Sequence, residues 1–130
     1  MKYLLSFILF CSIVTYGQTA EDYFKKGLSK NNLEDYKGAI SEFSQAIELD
    51  SNYAKSYEHR GYAKNNLQDY NGAKSDYNKA IKLGANRAYV YYARGNSKVS
   101  LGQIDSACKD FKKAEKLGFD AALMVKRHCN

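Results

Sequence analysis

Two histidines and three cysteines are the side chains of this 130-residue chain best suited to metal or nucleophilic chemistry. Their spacing supports neither. His59 and His128 form no His-x-x-x-His pair, and Cys11, Cys108 and Cys129 form no Cys-x-x-Cys. His128 beside Cys129 is thin for zinc, which wants four convergent ligands. No glycine-rich phosphate loop and no nucleophile elbow occurs, and the serines stand without a base partner. The expectation is therefore no enzyme, no metal and no cofactor. What remains is non-covalent chemistry, for which twelve tyrosines and recurring asparagines are good material. Tyrosine offers a broad face and a hydroxyl at low entropic cost, and asparagine pairs with backbone amides. A pI near 9.1 with so many tyrosines invites a nucleic-acid reading. Most of these tyrosines sit at apolar phases of a repeat, however, and a net charge of +6 is modest, so no nucleic acid is expected.

The repeat is what must position these residues. Gly27, Gly61 and Gly95 stand 34 positions apart, and Tyr23, Tyr57 and Tyr91 precede each by four. Ala39, Ala73 and Ala107 keep the same period, as do Phe43, Tyr77 and Phe111, then Ala46, Ala80 and Ala114. Leu33, Leu67 and Leu101 mark the middle of each unit, and Leu49, Leu83 and Leu117 its end. A unit of this size cannot bury its own apolar face, so the period predicts a stacked array. The units run 20–53, 54–87 and 88–121, with a remnant over 122–130.

Each unit reads as two helices. In the second unit these are about Tyr53–Asn66 and Tyr70–Leu83, with polar residues around one buried leucine, Leu67, in the turn. The second helices carry 3–4 apolar spacing, as at Tyr70, Ala73, Tyr77, Ala80 and Ile81. Asp35 and Asp69 are placed to cap them. A helical glycine costs about 1 kcal/mol against alanine, so its recurrence at one phase implies a close helix–helix approach.

The second unit, from Tyr57-x-x-Arg60-Gly61-x-Ala63 through Asp69-Tyr70-x-Gly72-Ala73 to Tyr77-x-x-Ala80-Ile81-x-Leu83, resembles the tetratricopeptide repeat family. The resemblance covers Ala20 to about Ala121. The proline that often follows the second helix is missing, and the third unit has Gly102-Gln103-Ile104 in place of an Asp-Tyr pair. The family implies an all-α fold, a right-handed α-solenoid of antiparallel helix pairs, here closed by a short C-terminal capping helix. It also implies a groove lined by the first helices that holds an extended peptide or a partner's helix. The groove positions are Phe24, Leu28 and Asn31, then Lys55, Glu58, Tyr62 and Asn65, then Tyr89, Tyr92 and Asn96, flanked by Glu21 and Val99. Chaperone-binding members clamp a C-terminal carboxylate with basic and asparagine side chains. The matching positions here are Phe24, Leu28, His59, Tyr89 and Ala93, so that clamp is not expected. Lys26, Arg60 and Arg94, with Lys30, Lys64 and Lys98, either form basic stripes or pair with Glu42, Asp76 and Asp110; pairing is the favoured expectation.

The N-terminus is a separate object. Lys2 precedes an uncharged, mostly apolar stretch to Tyr16, with Thr15 and Gly17 as small residues before Gln18. This is the layout of a cleaved export signal over residues 1–17, shorter than the roughly 20 residues of a spanning helix, with an uncleaved anchor as the less favoured alternative. Phe10 before Cys11 is too bulky for a lipidation site. Cleavage removes Lys2 and Cys11, lowers the net charge from +6 to +5, and leaves Cys108 and Cys129. In an exported chain an even cysteine count invites a disulfide. In the repeat geometry the remnant helix, with Ala122, Leu123 and Val125 packing back, runs beside the Cys108 helix, so a Cys108–Cys129 disulfide is predicted to staple the end of the array. Such a bond is worth on the order of 3 kcal/mol on the chain-entropy model. The sequence thus predicts residues 18–130 as an exported (periplasmic or secreted) three-repeat adaptor with no stable membrane span once the signal is removed. Its partner is a protein or peptide. A self-associating envelope component, and thus a homo-oligomer, is the alternative, and a small exported enzyme a distant third.

Overall fold

A 34-residue period becomes a helix pair. The computed structural model describes residues 17–130, and residues 1–16, which hold the apolar run of the expected export signal, lie outside them. Seven helices follow one another: α1 (Ala20–Asn32), α2 (Tyr36–Leu49), α3 (Ala54–Asn66), α4 (Tyr70–Lys82), α5 (Ala88–Ser100), α6 (Ile104–Lys116) and α7 (Ala122–His128). Each packs on its sequence neighbours, and the first helices of successive units also meet, α1 with α3 and α3 with α5. No helix of the described residues is long and apolar enough to cross a membrane.

Local chemistry sets the helix ends. Thr19 and Asp22 form a capping box at the start of α1, with reciprocal bonds of 2.9 and 3.2 Å. Asp35 and Asp69 cap α2 and α4 by accepting from Gly38 and Gly72 N–H at 3.0 Å, as expected. The first helices all end alike: Asp35, Asp69 and Gln103 N–H return to the carbonyls of Lys30, Lys64 and Lys98. That closure needs a left-handed residue, supplied by Glu34 (φ 59), Gln68 (φ 62) and Gly102 (φ 74). Gly102 is therefore the residue suited to this turn, where Glu34 and Gln68 carry a backbone cost of about 1 kcal/mol.

The recurring glycine does bring helices together, but against a ring. A Cβ on Gly27 would fall inside the Phe43 side chain. One on Gly61 would lie 3.0 Å from Tyr77 Cε1, and one on Gly95 2.6 Å from Phe111 Cε1. Each second-helix ring is thus seated on a bare stretch of first-helix backbone, and Phe43, Tyr77 and Phe111 are all fully buried. The turn leucines behave otherwise than expected. Leu33 is 80% and Leu67 41% exposed, because the tight turn carries them to the edge of the array, away from the interhelical seam. At the other end α7 packs Met124 and Val125, with Cys129, against the core of Ala107, Phe111 and Ala114. Ala122 and Leu123, expected to pack back, face solvent instead, since the helix presents the next pair of residues to α6.

Five of the six stripe cations are taken up in ion pairs, and Lys26 stays exposed beside the Tyr23 ring. Arg60 grips Asp76 through two bonds of 2.9 and 2.8 Å, and Lys64 adds a third at 3.0 Å. One period later Arg94 and Lys98 hold Asp110 in the same way. The remaining guanidinium nitrogen reaches back to the preceding second helix, from Arg60 to Ser44 (3.1 Å) and from Arg94 to Asn78 (3.0 Å). Each arginine therefore ties two units together. In unit one, only Lys30 meets Glu42, at 2.7 Å in a more exposed setting.

Two predictions follow from this packing. Asp110→Ala leaves Arg94 and Lys98 buried without a counter-charge and should cost about 3–5 kcal/mol, against about 1 kcal/mol or less for Glu42→Ala. Urea unfolding of both variants tests this, and equal losses would count against the buried tie. Gly95→Ala should destabilise by about 1–3 kcal/mol through displacement of the Phe111 ring. Gly61→Ala, with a looser fit and a helix-propensity gain of about 1 kcal/mol, should be nearly neutral. Thermal midpoints in the reverse order would reject the ring-on-glycine account.

Candidate functional site

The face built from α1, α3 and α5 contains a pocket of about 280 Å³ lined by Leu28, Asn31, Asn32, Glu58, His59, Tyr62, Arg87 and Tyr89. Five of the ten groove positions meet there: Leu28, Asn31, Glu58, Tyr62 and Tyr89. The helical register explains this, since residues separated by the period, or by one turn on the same first helix, share a face.

The other five lie elsewhere. Phe24 is buried in the first core, against Phe43, Tyr53 and His59 at ring distances of 5.2–5.8 Å. Tyr92 stacks on Phe119 at 4.5 Å and on Phe111 at 5.9 Å, so it belongs to the third core. Asn65 accepts from Ser97 Oγ at 3.0 Å and joins the second unit to the third. Lys55 is solvent-exposed, and Asn96 is half-buried outside the pocket.

Three lining residues were not among the groove positions. Asn32 follows Asn31 and His59 follows Glu58, each one step off the groove phase. Arg87 lies in the link between α4 and α5, where helical phase carries no information. Its guanidinium bonds Glu58 Oε1 at 2.9 Å, from the end of the second unit back to that unit's first helix. The signal available in the sequence was a lone cation at the end of a unit, which fixes no partner.

The electrostatics are layered. The Glu58 side chain is 3% exposed, and burial pushes its carboxyl up while Arg87 and Lys55 pull it down. Arg87 sits at the mouth, 57% exposed. Burial, followed by the nearby Arg87 and Lys55, pushes the His59 imidazole down to about 4, so it is neutral near pH 7. The Tyr89 phenol is pushed up to about 12, chiefly by burial. Asn31 is buried, and its Oδ1 accepts from no group of the described residues. Among the described residues no cluster of three or more His, Cys, Asp or Glu is placed to hold a metal ion. At the far end of the array Cys108 and Cys129 stand together, 5.4 Å apart at Cα, within the span a disulfide bridges.

With this geometry established, comparison with known proteins is informative. The tetratricopeptide repeat profile matches residues 20–53, 54–86 and 88–117. No curated protein sequence matches the chain. Among solved structures, the chain is similar to the Arabidopsis OM64 TPR domain (25% identity, TM-score 0.82, covering 85% of this chain and 93% of that one). It is also similar to the second TPR of Spaghetti (RPAP3) bound to the HSP90 peptide SRMEEVD (26%, TM-score 0.74, covering 77% and 93%). A third is YrrB, described as a TPR protein with an unusual peptide-binding site (25%, TM-score 0.73, covering 76% and 51%).

His59 gives the pocket a pH signature. Its folded pKa, about 4, lies below the ordinary 6.5, so the unfolded chain binds the extra proton first as pH falls. Its contribution to stability is complete above pH 6.5 and is lost progressively down to about pH 4. The loss should be on the order of 2 kcal/mol. The raised Glu58 carboxyl acts in the opposite sense, so the measurement is a difference. Between pH 7 and 4 the unfolding free energy of wild type should fall by that much more than that of His59→Leu. Parallel curves would show that His59 is not buried as a neutral base.

Proposed function

This chain belongs to the tetratricopeptide repeat family, and from that premise we propose that it is a non-catalytic docking module holding a peptide or helix of a partner protein in the first-helix groove. One observation carries the reading. The groove has a pocket of about 280 Å³ with apolar and aromatic walls (Leu28, Tyr62, Tyr89). Concave sites with such walls take up apolar side-chain surface, and a few polar groups beside them fix orientation. The peptide bound to the second TPR of Spaghetti, and the peptide-binding site ascribed to YrrB, are in keeping with this use of the fold.

The carboxylate clamp of chaperone-binding members does not transfer. Its positions hold Phe24, Leu28, His59, Tyr89 and Ala93, and burial keeps the histidine neutral near pH 7. End-to-end self-association is the weaker reading. On α1 the stacking phases carry exposed Lys25, Lys26 and Ser29, where α3 presents His59, Arg60 and Ala63 to the unit before it. Polar residues at these phases suit a face that meets water.

The same proposal places the module outside the cytoplasm, with residues 1–17 as a removed export signal and Cys108–Cys129 as a disulfide that holds α7 on α6. Intact-mass analysis of the protein from its source, without reductant, should give a chain that starts at Gln18 and is lighter by two hydrogens than the dithiol form. An unprocessed N-terminus would reject export, and two free thiols would reject the staple.

The docking proposal is tested by panning a random peptide library against the folded domain. A shared motif should be enriched, and Tyr62→Ala should weaken its binding about tenfold, equivalent to about 1.4 kcal/mol. Tyr62 is 38% exposed, so the thermal midpoint should stay unchanged. Failure to enrich any motif, or full binding by Tyr62→Ala, would sink the groove assignment.

A further inference from the structure

The last helix is a first helix cut short. α3, α5 and α7 begin at Ala54, Ala88 and Ala122, 34 residues apart, but α3 and α5 run for 13 residues and α7 for 7. α7 covers the face of α6 formed by Ala107, Phe111 and Ala114, as α3 covers that of α2 and α5 that of α4. Its own hold is slight. No residue of α7 is fully buried and no side chain caps its start. Met124 and Val125 supply its apolar contacts, with the His128 ring 6.3 Å from that of Phe111. A helix of this length is not stable alone in water. What fixes it is Cys129, the residue after its end, beside Cys108 on α6.

That link stands in reach of solvent. Cys108 and Cys129 are half-buried and line a surface cavity of about 270 Å³ with Asp105, Lys109, Lys112 and His128. Asp105, Lys109 and Lys112 are themselves exposed. Accessible disulfides are the ones that exchange readily with thiols.

We propose that Cys108–Cys129 is a thiol-exchange site of the folded protein, taking a dithiol reductant, and that its reduction releases α7 from α6. The inference rests on the disulfide reading above and adds what the bond does. A thiolate of the reductant attacks one cysteine Sγ and forms a mixed disulfide. The electron pair of the broken S–S bond leaves with the other Sγ, which takes up a proton. The second thiol of the reductant then displaces the first cysteine as a thiolate, which is protonated in turn. The protein gains two electrons and two protons, and the dithiol becomes its cyclic disulfide. Lys109 and Lys112 favour a departing thiolate, and Asp105 opposes them with one charge against two. Once the bond opens, α7 keeps only its few side-chain contacts, and the fully buried Phe111 loses its cover at the end of the array. Phe111 retains its seat on Gly95, so the three units stay folded.

Two measurements test this on the chain from Gln18 onward, oxidised in vitro to the monomeric disulfide. In the first, it is treated with dithiothreitol in native buffer and, separately, in urea, and the thiols formed are alkylated and counted by mass. The native rate should lie within about a hundredfold of the rate in urea, because a bond reached only by global unfolding reacts at least about a thousandfold more slowly. A slower native reaction than this overturns the proposal. In the second, amide hydrogen exchange is compared between oxidised and reduced wild type. The Val125 and Cys129 amides, which close turns of α7, should exchange at least about tenfold faster after reduction, with α1 to α4 unchanged. Cys108→Ser/Cys129→Ser should match the reduced form, although the comparison needs no variant. Equal protection in the two forms overturns the proposal, and so does loss of protection through the whole array, since the bond would then hold the fold and not α7. A chain that cannot be oxidised overturns both the proposal and the staple. Free thiols in protein from its source, with rapid exchange and release in the oxidised chain, would reject the staple there and uphold the exchange site.

Discussion

The seating of an aromatic ring on a bare patch of helix backbone is the contact on which the rest of this structure depends. Phe43 on Gly27, Tyr77 on Gly61 and Phe111 on Gly95 fix how closely the two helices of a unit approach. A ring without a neighbouring Cβ reaches the backbone itself, and the alanines one turn away on the second helix, such as Ala73 and Ala80, close in around it. The helical glycine carries an entropic cost of about 1 kcal/mol, which the packed ring offsets. Because interiors are close-packed and deform little, repeating the seat at one phase repeats the same helix pair, and an array follows.

The charged network acts on that geometry rather than creating it. Asp76 and Asp110 lie between the helices of their own unit, each with a bidentate arginine and a lysine around it. Such clusters are seldom strong net stabilisers, because desolvation consumes most of the attraction. Their use here is positional. The third guanidinium nitrogen of Arg60 and Arg94 reaches the second helix of the preceding unit, so one buried side chain measures the distance between units as well as within them. Unit one lacks this device because Lys26 stands at that phase, and its Lys30–Glu42 pair is more exposed than the aspartate clusters.

Regular stacking in turn creates the groove, and the groove is where regularity breaks. Leu28 and Tyr62 share a phase, yet the pocket between them depends on Arg87 from an interunit link and on His59, whose counterpart in the third unit is Ala93. A symmetric array would offer three equal shallow sites. This one concentrates its buried acceptors, Asn31 and Glu58, at the junction of the first two units and closes the third with Tyr92, Phe119 and α7. Binding character therefore comes from departures from the repeat, and stability from adherence to it.

The sequence by itself determined the helix pairs, their boundaries to within a residue or two, the Asp35 and Asp69 caps and the closeness of Cys108 to Cys129. Each follows from short-range periodicity or from the frame that carries one unit onto the next. It also marked the face holding Leu28, Asn31, Glu58, Tyr62 and Tyr89, since phase on a helix is fixed by residue number. Tertiary structure alone decided the rest. Phe24 and Tyr92 share the groove phase but are drawn into cores by rings from elsewhere in the chain, Phe43 of α2 in one case and Phe119 of the α6–α7 link in the other. Leu33 and Leu67 look like core leucines and emerge at the edge, because the left-handed turn residue after each redirects the chain. Arg87, in the link after α4, finds Glu58 on α3 through a distance that no periodicity encodes. Helical phase says which way a side chain leaves its own helix, and only packing says what it meets.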